Sequence, residues 1–99
     1  LPDAVVAAND EAAVGVLSAL RQAGIDVPGE ISVAGINDLG VARHVGLTTV
    51  SLPLYEMGAM AARRIVDSPP GPDAAPGSTT TLSHRLVARE TTARRARTR

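Results

Sequence analysis

Two short apolar runs, each ending in Asn–Asp, decide the fold: AVVAAND at 4–10 and ISVAGIND at 31–38. An unbroken apolar run of this length, with no alternation, suits a parallel strand buried on both faces. Asn9 and Asp10 close the first run, and either can cap a helix. Ala13, Val16, Leu17, Leu20 and Ala23 then recur at helical spacing, with Glu11, Ser18 and Gln22 on the other side. Gly24 stands where a helix stops, and Pro28 keeps the connection from becoming helical. Residues 4–36 therefore read as strand, helix, strand, the length of a right-handed crossover unit.

Working outward, residues 37–46 read as a loop or broken helical turn, with Gly40 and Gly46 as breakers. Thr48 to Leu52 is β-branched and extended, and Pro53 suits the first position of another helix. That helix shows Leu54, Met57, Gly58, Ala61, Ala62 and Ile65 on one face, and Glu56, Arg63 and Asp67 on the other. Residues 68–80 are rich in Pro, Gly, Ser and Ala without periodicity, the pattern of a mobile surface loop. Leu82 to Arg89 has the look of a final strand, and 94–99 of a polar, disordered tail. The fold class is α/β: a parallel-sheet βαβ segment of an incomplete domain.

Composition narrows the function. The chain has 99 residues, is 44% hydrophobic, and has Tyr55 as its one aromatic residue. A core of Ala, Val and Leu buries less area per residue, at roughly 25 cal/mol per Å2, so an isolated domain of this size is marginal. Net charge is zero, which points to neither nucleic acid nor a membrane surface. With no cysteine there are no disulfides, thiolate chemistry or Cys-based metal sites. No apolar run approaches the ~20 residues that span a bilayer. No signal-peptide pattern is read at Leu1, which in a fragment says nothing of a parent's start.

Ligands of open α/β sheets bind beyond the carboxyl ends of the strands. If the two strands are neighbours, Asn9, Asp10, Asn37 and Asp38 converge at one rim, where amides and carboxylates can meet the hydroxyls of a sugar or nucleoside. The plainer reading is that Asn9 and Asp10 cap a helix while Asn37 and Asp38 turn the chain. No G-x-G-x-x-G follows either strand, which argues against a dinucleotide-binding oxidoreductase. His44 and His84 lack partners at metal-ligand spacing, and Ser32 and Ser51 lie inside strands rather than on a nucleophile elbow. No enzyme activity, cofactor or metal is expected.

Four blocks in fixed order add a resemblance: VVAAND at 5–10, ISVAGINDLGVARH at 31–44, LTTVSLPLYEMG at 47–58 and LVARETT at 86–92. Together they resemble the C-terminal part of the LacI–GalR family of bacterial transcriptional regulators, over about residues 1–93. The family implies a type I periplasmic-binding-protein-like core that senses a sugar-like or nucleoside effector. It also implies a DNA-binding head, absent from this chain, and a cytoplasmic homodimer with no membrane association. By that layout 1–46 forms part of the C-terminal lobe, and 47–67 a cross-over strand and helix packing on the N-terminal lobe. Residues 68–80 are then a loop, 81–93 a strand returning to the C-terminal lobe, and 94–99 a tail.

The resemblance also implies residue roles. Asn9 falls on the Asn of the family's AND block and Asn37 on the first Asp of its GFDD or GYDD block, both positions that contact effector hydroxyls. Asn37 departs from the usual carboxylate. Leu52 and Leu54 fall where a polar Gln and a variable pocket residue are common, giving an apolar wall, a pocket that no longer works, or simple core packing. Asp10 and Asp38 are read as structural residues at the cleft. The family's prolines before LTT are missing. The alternative from another class is the sugar-binding component of a transporter.

Overall fold

The computed structural model describes residues 1–68 and 77–95. The expected loop at 68–80 and tail at 94–99 fall largely outside them. The elements run β1 (Ala4–Val6), α1 (Asp10–Gln22), β2 (Ser32–Asn37), α2 (Gly40–His44), β3 (Thr48–Ser51), α3 (Leu54–Asp67) and β4 (Arg85–Val87). The strands form one sheet in the order β1-β2-β3-β4. β1, β2 and β3 are parallel, and β4 returns antiparallel to β3. The α/β reading holds, and its two strands are neighbours, with Val6 beside Ala34.

The helix between them begins and ends as its residue types dictate. Asn9 is extended and its side chain accepts from the Ala12 N–H at 2.8 Å, satisfying one of the free amides of the first turn. At the other end Gly24 takes φ +73°, a conformation costly for any residue with a Cβ. The Gly24 N–H donates to the Arg21 carbonyl and the Ile25 N–H to that of Leu20, the paired bonds of a Schellman cap. Leu20 and Ile25 both pack against the core, the apolar contact that accompanies such a cap.

Strand pleating sends Ile31, Val33 and Gly35 to one buried face. There Ala7, Ala13, Leu17, Ile31, Val33, Ala42 and Leu47 form the core cluster. No aromatic ring is among them, as the composition implied. Of the helix face expected to be buried, Ala13 and Leu17 are buried, Val16 and Leu20 half-buried, and Ala23 exposed. On the other face of the sheet Val6 and Leu86 keep most of their surface in contact with solvent.

Three expectations change. Thr48–Ser51, assigned to a cross-over segment packing elsewhere, pairs with Ala34–Asn37 and belongs to the same sheet as 1–46. Buried Leu47, Thr48 and Thr49 hold it there. Of the two readings of 37–46, the helical turn holds, but Gly40 opens that short helix rather than breaking it, and the chain returns to start β3 parallel to β2. The last strand is only Arg85–Val87, because the chain beyond it leaves the ladder. Thr91 enters between β2 and β3 there: its hydroxyl donates to the Val33 carbonyl at 2.7 Å and accepts from the Thr48 N–H at 2.9 Å. Its own carbonyl accepts from the Val33 N–H at 2.9 Å.

Residues Pro53–His84 cluster as a second unit, separate from Leu1–Leu52 with Arg85–Arg99. Pro53 caps α3 rather than opening it, and its carbonyl accepts from the Met57 N–H at 2.9 Å. Arg64 donates to the Ser78 carbonyl and to Thr80 Oγ1, fastening the helix to the chain that follows it. No described helix is long and apolar enough to cross a membrane.

Two glycines give a test of this packing. A Cβ on Gly35 would lie 2.5 Å from Asp10 Oδ1 and 3.0 Å from Leu47 Cδ2, whereas one on Gly15 meets nothing within 4 Å. Gly35→Ala is expected to cost about 1–3 kcal/mol through overpacking. Gly15→Ala, inside a helix, is expected to stabilise by about 0.5–1 kcal/mol. Urea unfolding of the two variants measures both.

Candidate functional site

β1 and β2 end side by side, so the two Asn–Asp pairs emerge at one rim, as the sequence suggested. Asn9 is exposed at the start of α1, and Asn37 is half-buried as the last residue of β2. Among the described residues the Asn37 carboxamide has no hydrogen-bond partner, and Asn9 uses only its Oδ1, leaving Nδ2 free to donate. The backbone at Asn37 has φ +115° and at Asp38 φ +60°. Positive φ is costly for residues with a Cβ, though Asn and Asp tolerate it best, and it persists only where the surroundings impose it.

Asp10 imposes it from one side. This carboxylate is fully buried. Thr49 Oγ1 donates to its Oδ1 at 2.6 Å, and the Leu39 N–H donates to its Oδ2 at 2.7 Å. Both lengths are those of charge-assisted bonds. Leu39 is the residue before α2, and Asp10 accepts its N–H, one of the amides that a helix start leaves without a partner. The position of Asp10 in the first turn of α1 also places its charge at the favourable end of the helix dipole.

Arg89 holds the other side. Its Nη2 lies 2.8 Å from Asp38 Oδ1, and its Nη1 donates to the Leu47 carbonyl at 3.0 Å. Asp38 Oδ1 is buried and makes no aligned hydrogen bond, so the contact is a charge pairing rather than a directed bond. The Arg89 N–H donates to Thr48 Oγ1, whose hydroxyl also shares a 2.6 Å bond with Thr92. The fourth sequence block thus clamps the second and third. Asp10 and Asp38, expected at the cleft as structural residues, both find their partners within the chain.

Leu52 and Leu54 separate. Leu52 is half-buried directly after β3, whose Ser51 pairs with Asn37, so it follows the same rim. Leu54 is exposed at the first turn of α3, in the second unit. Neither belongs to the apolar core cluster. Sequence reasoning missed Gly35, Thr49, Arg89 and Thr91. A glycine inside a strand run was a usable signal of close backbone approach at Gly35. Threonine is so ordinary in strands that Thr49 gave none. No cluster of three metal-binding side chains occurs among the described residues. An open depression lined by Asp3, Pro28, Glu30 and Arg94 lies at the amino-terminal ends of β1 and β2, away from this rim.

A parallel α/β sheet with a polar rim at its strand ends defines a ligand-binding class of fold. The family described as periplasmic binding protein-like domain matches residues 1–92. The chain is 39% identical over 74 residues to a lactose operon repressor of Rhizobium radiobacter, covering 73% of this chain and 66% of that protein. It is 43% identical over 75 residues to the transcriptional regulator GalR of Escherichia coli K12, covering 71% of this chain and 22% of that protein. Among solved structures, a LacI family transcriptional regulator from Lactobacillus casei with bound sucrose superposes with a TM-score of 0.74 at 35% identity. That match covers 92% of this chain and 34% of the regulator. The chain belongs to the periplasmic binding protein-like domain family, and these relatives within it are LacI–GalR-type regulators. It spans only part of these relatives, 66% of the first and 22% of the second.

The clamp on Asp38 can be measured. Arg89→Ala leaves a largely buried carboxylate without its cation and should cost about 1–3 kcal/mol of stability. Arg89→Lys keeps the charge but not the two-pronged reach to Asp38 and Leu47, and should cost less than the Ala variant. Thermal melts of the three proteins give the order.

Proposed function

We propose that this chain is the effector-sensing portion of a bacterial LacI–GalR-type transcriptional regulator, binding a neutral, hydroxyl-rich small molecule at Asn9 and Asn37. The observation that carries the reading is the strained Asn37 (φ +115°), whose carboxamide is unpartnered while Asp10 and Arg89 brace the chain after it. Strain concentrated at a free polar group is the mark of a functional position. Both carboxylates nearby are engaged, Asp10 by Thr49 and Leu39 and Asp38 by Arg89. The rim therefore offers amides rather than free charge, which suits a carbohydrate. Leu52 adds an apolar surface at the same strand ends, for the CH face of a sugar ring.

The relatives favour a regulator over the transporter component that shares the fold: two are a repressor and a transcriptional regulator, and one solved relative holds sucrose. In such a protein lobes close around the effector, and a ligand shifts the balance only as far as its affinities for the two states differ. Operator DNA would be read by a separate head in a cytoplasmic homodimer. The exposed small residues Ala12, Gly15 and Ala19 of α1, with Val41 and His44 of α2, supply a surface for that pairing.

Calorimetric titration of the intact protein with sucrose and other neutral mono- and disaccharides tests the site. Asn9→Ala and Asn37→Gly should each weaken binding about 5- to 150-fold, the loss of a desolvated hydrogen bond. Glycine is used at 37 because it accepts the positive φ and so removes the amide without adding strain. Asn37→Asp should change which sugars bind. If Asn9 is a cap and nothing more, its Ala variant loses about 0.5–2 kcal/mol of stability and keeps its affinity.

A further inference from the structure

We propose that Asp10 is a positioning residue for the effector rim, a single buried carboxylate that fixes Asn9 and Asn37 relative to one another. The inference rests on the reading of those two asparagines as effector contacts and deepens it. Asn9 is bonded directly to Asp10 in the chain, and its side chain caps the helix that Asp10 begins. Asn37 lies two residues before Leu39, whose N–H donates to Asp10 Oδ2. The other oxygen, Oδ1, is held by Thr49 on β3. One side chain thus ties three neighbouring segments together at the strand ends.

The site for this carboxylate is built. Gly35 leaves the space it occupies, since a Cβ there would come within 2.5 Å of Oδ1. Both oxygens are used, and no part of the residue reaches solvent. The apolar core does not depend on it: Leu17, Ile31, Val33 and Leu47 pack together, and Thr91 stitches β2 to β3 through separate bonds. The Asn37–Asp38 turn is different. Asn37 ends the ladder at its pairing with Ser51, and beyond it, among the described residues, the turn is held by the Leu39 anchor on one side and Arg89 on the other. Removing Asp10 releases the turn to a commoner backbone conformation and takes the Asn37 amide with it.

The test measures amide exchange and backbone conformation in the intact protein by NMR, for Asp10→Ala, Asp10→Asn and Thr49→Val. Asp10→Ala should speed exchange at Leu39 about tenfold or more, the loss of a charge-assisted bond. It should also abolish the strong intraresidue amide–Hα contacts that mark positive φ at Asn37 and Asp38. The sheet amides of Val33 and Thr48 should stay protected. Asp10→Asn should restore the rim, because its Oδ1 can accept from Leu39 while its Nδ2 donates to the Thr49 hydroxyl. Thr49→Val keeps shape and frees one oxygen, so Leu39 should exchange faster by a smaller factor. This variant decides the matter if Asp10→Ala does not fold.

Exchange at Leu39 that rises only in step with Val33 and Thr48 overturns the proposal, as does no change at all. Saccharide titration separates this outcome from failure of the site itself. Weakened binding in Asn37→Gly with unchanged binding in folded Asp10→Ala removes the positioning role and leaves the site standing. Unchanged binding in Asn37→Gly overturns the site, and the positioning role with it.

Discussion

A buried carboxylate is expensive unless every lone pair that matters is answered, and the rim of this sheet is organised around that constraint. Asp10 has no exposed surface, so its charge must be balanced by donors brought from elsewhere in the chain. The Thr49 hydroxyl and the Leu39 amide supply them, one from β3 and one from the turn into α2. Their approach requires that β2 carry no side chain at Gly35. The requirement runs both ways, because without Asp10 the Leu39 N–H at the start of α2 loses its acceptor. Helix start, strand and turn are therefore mutually dependent.

The same logic holds the returning segment. Beyond β4 the chain stops pairing as a strand and instead presents polar groups one after another. The Arg89 guanidinium meets Asp38 and Leu47, the Glu90 and Thr91 amides share the Gly46 carbonyl, and Thr91 bonds to both Val33 and Thr48. A small core of Ala, Val, Leu and Ile gives limited hydrophobic stabilisation, so these buried polar contacts specify how the strands register. They also explain why the fourth sequence block matters although only two of its residues, Leu86 and Val87, form a strand.

The rim that results is polar yet nearly free of unpaired charge. Its two aspartates are engaged within the protein, and its two asparagines keep amide groups available. On the proposed reading, the uncharged amide of Asn37 suits a rim that would recognise hydroxyls by hydrogen bonding alone.

The sequence by itself determined the strand–helix–strand unit, because apolar runs, the Asn9 cap and the Gly24 stop are local signals that act through local backbone physics. It also placed both Asn–Asp pairs at the ends of strands, and the order of its four blocks pointed to the family. It did not determine that Thr48–Ser51 joins the same sheet, that the final strand shrinks to Arg85–Val87, or that Asp10 reaches across Gly35 to Thr49 and Leu39. Those contacts join residues 29, 39 and more positions apart. Threonine, arginine and glycine carry no local mark of such partners, since their roles arise only when distant segments are packed together. Tertiary structure decided them for a physical reason: a buried charge or hydroxyl takes its partner from whatever the fold brings within hydrogen-bond reach.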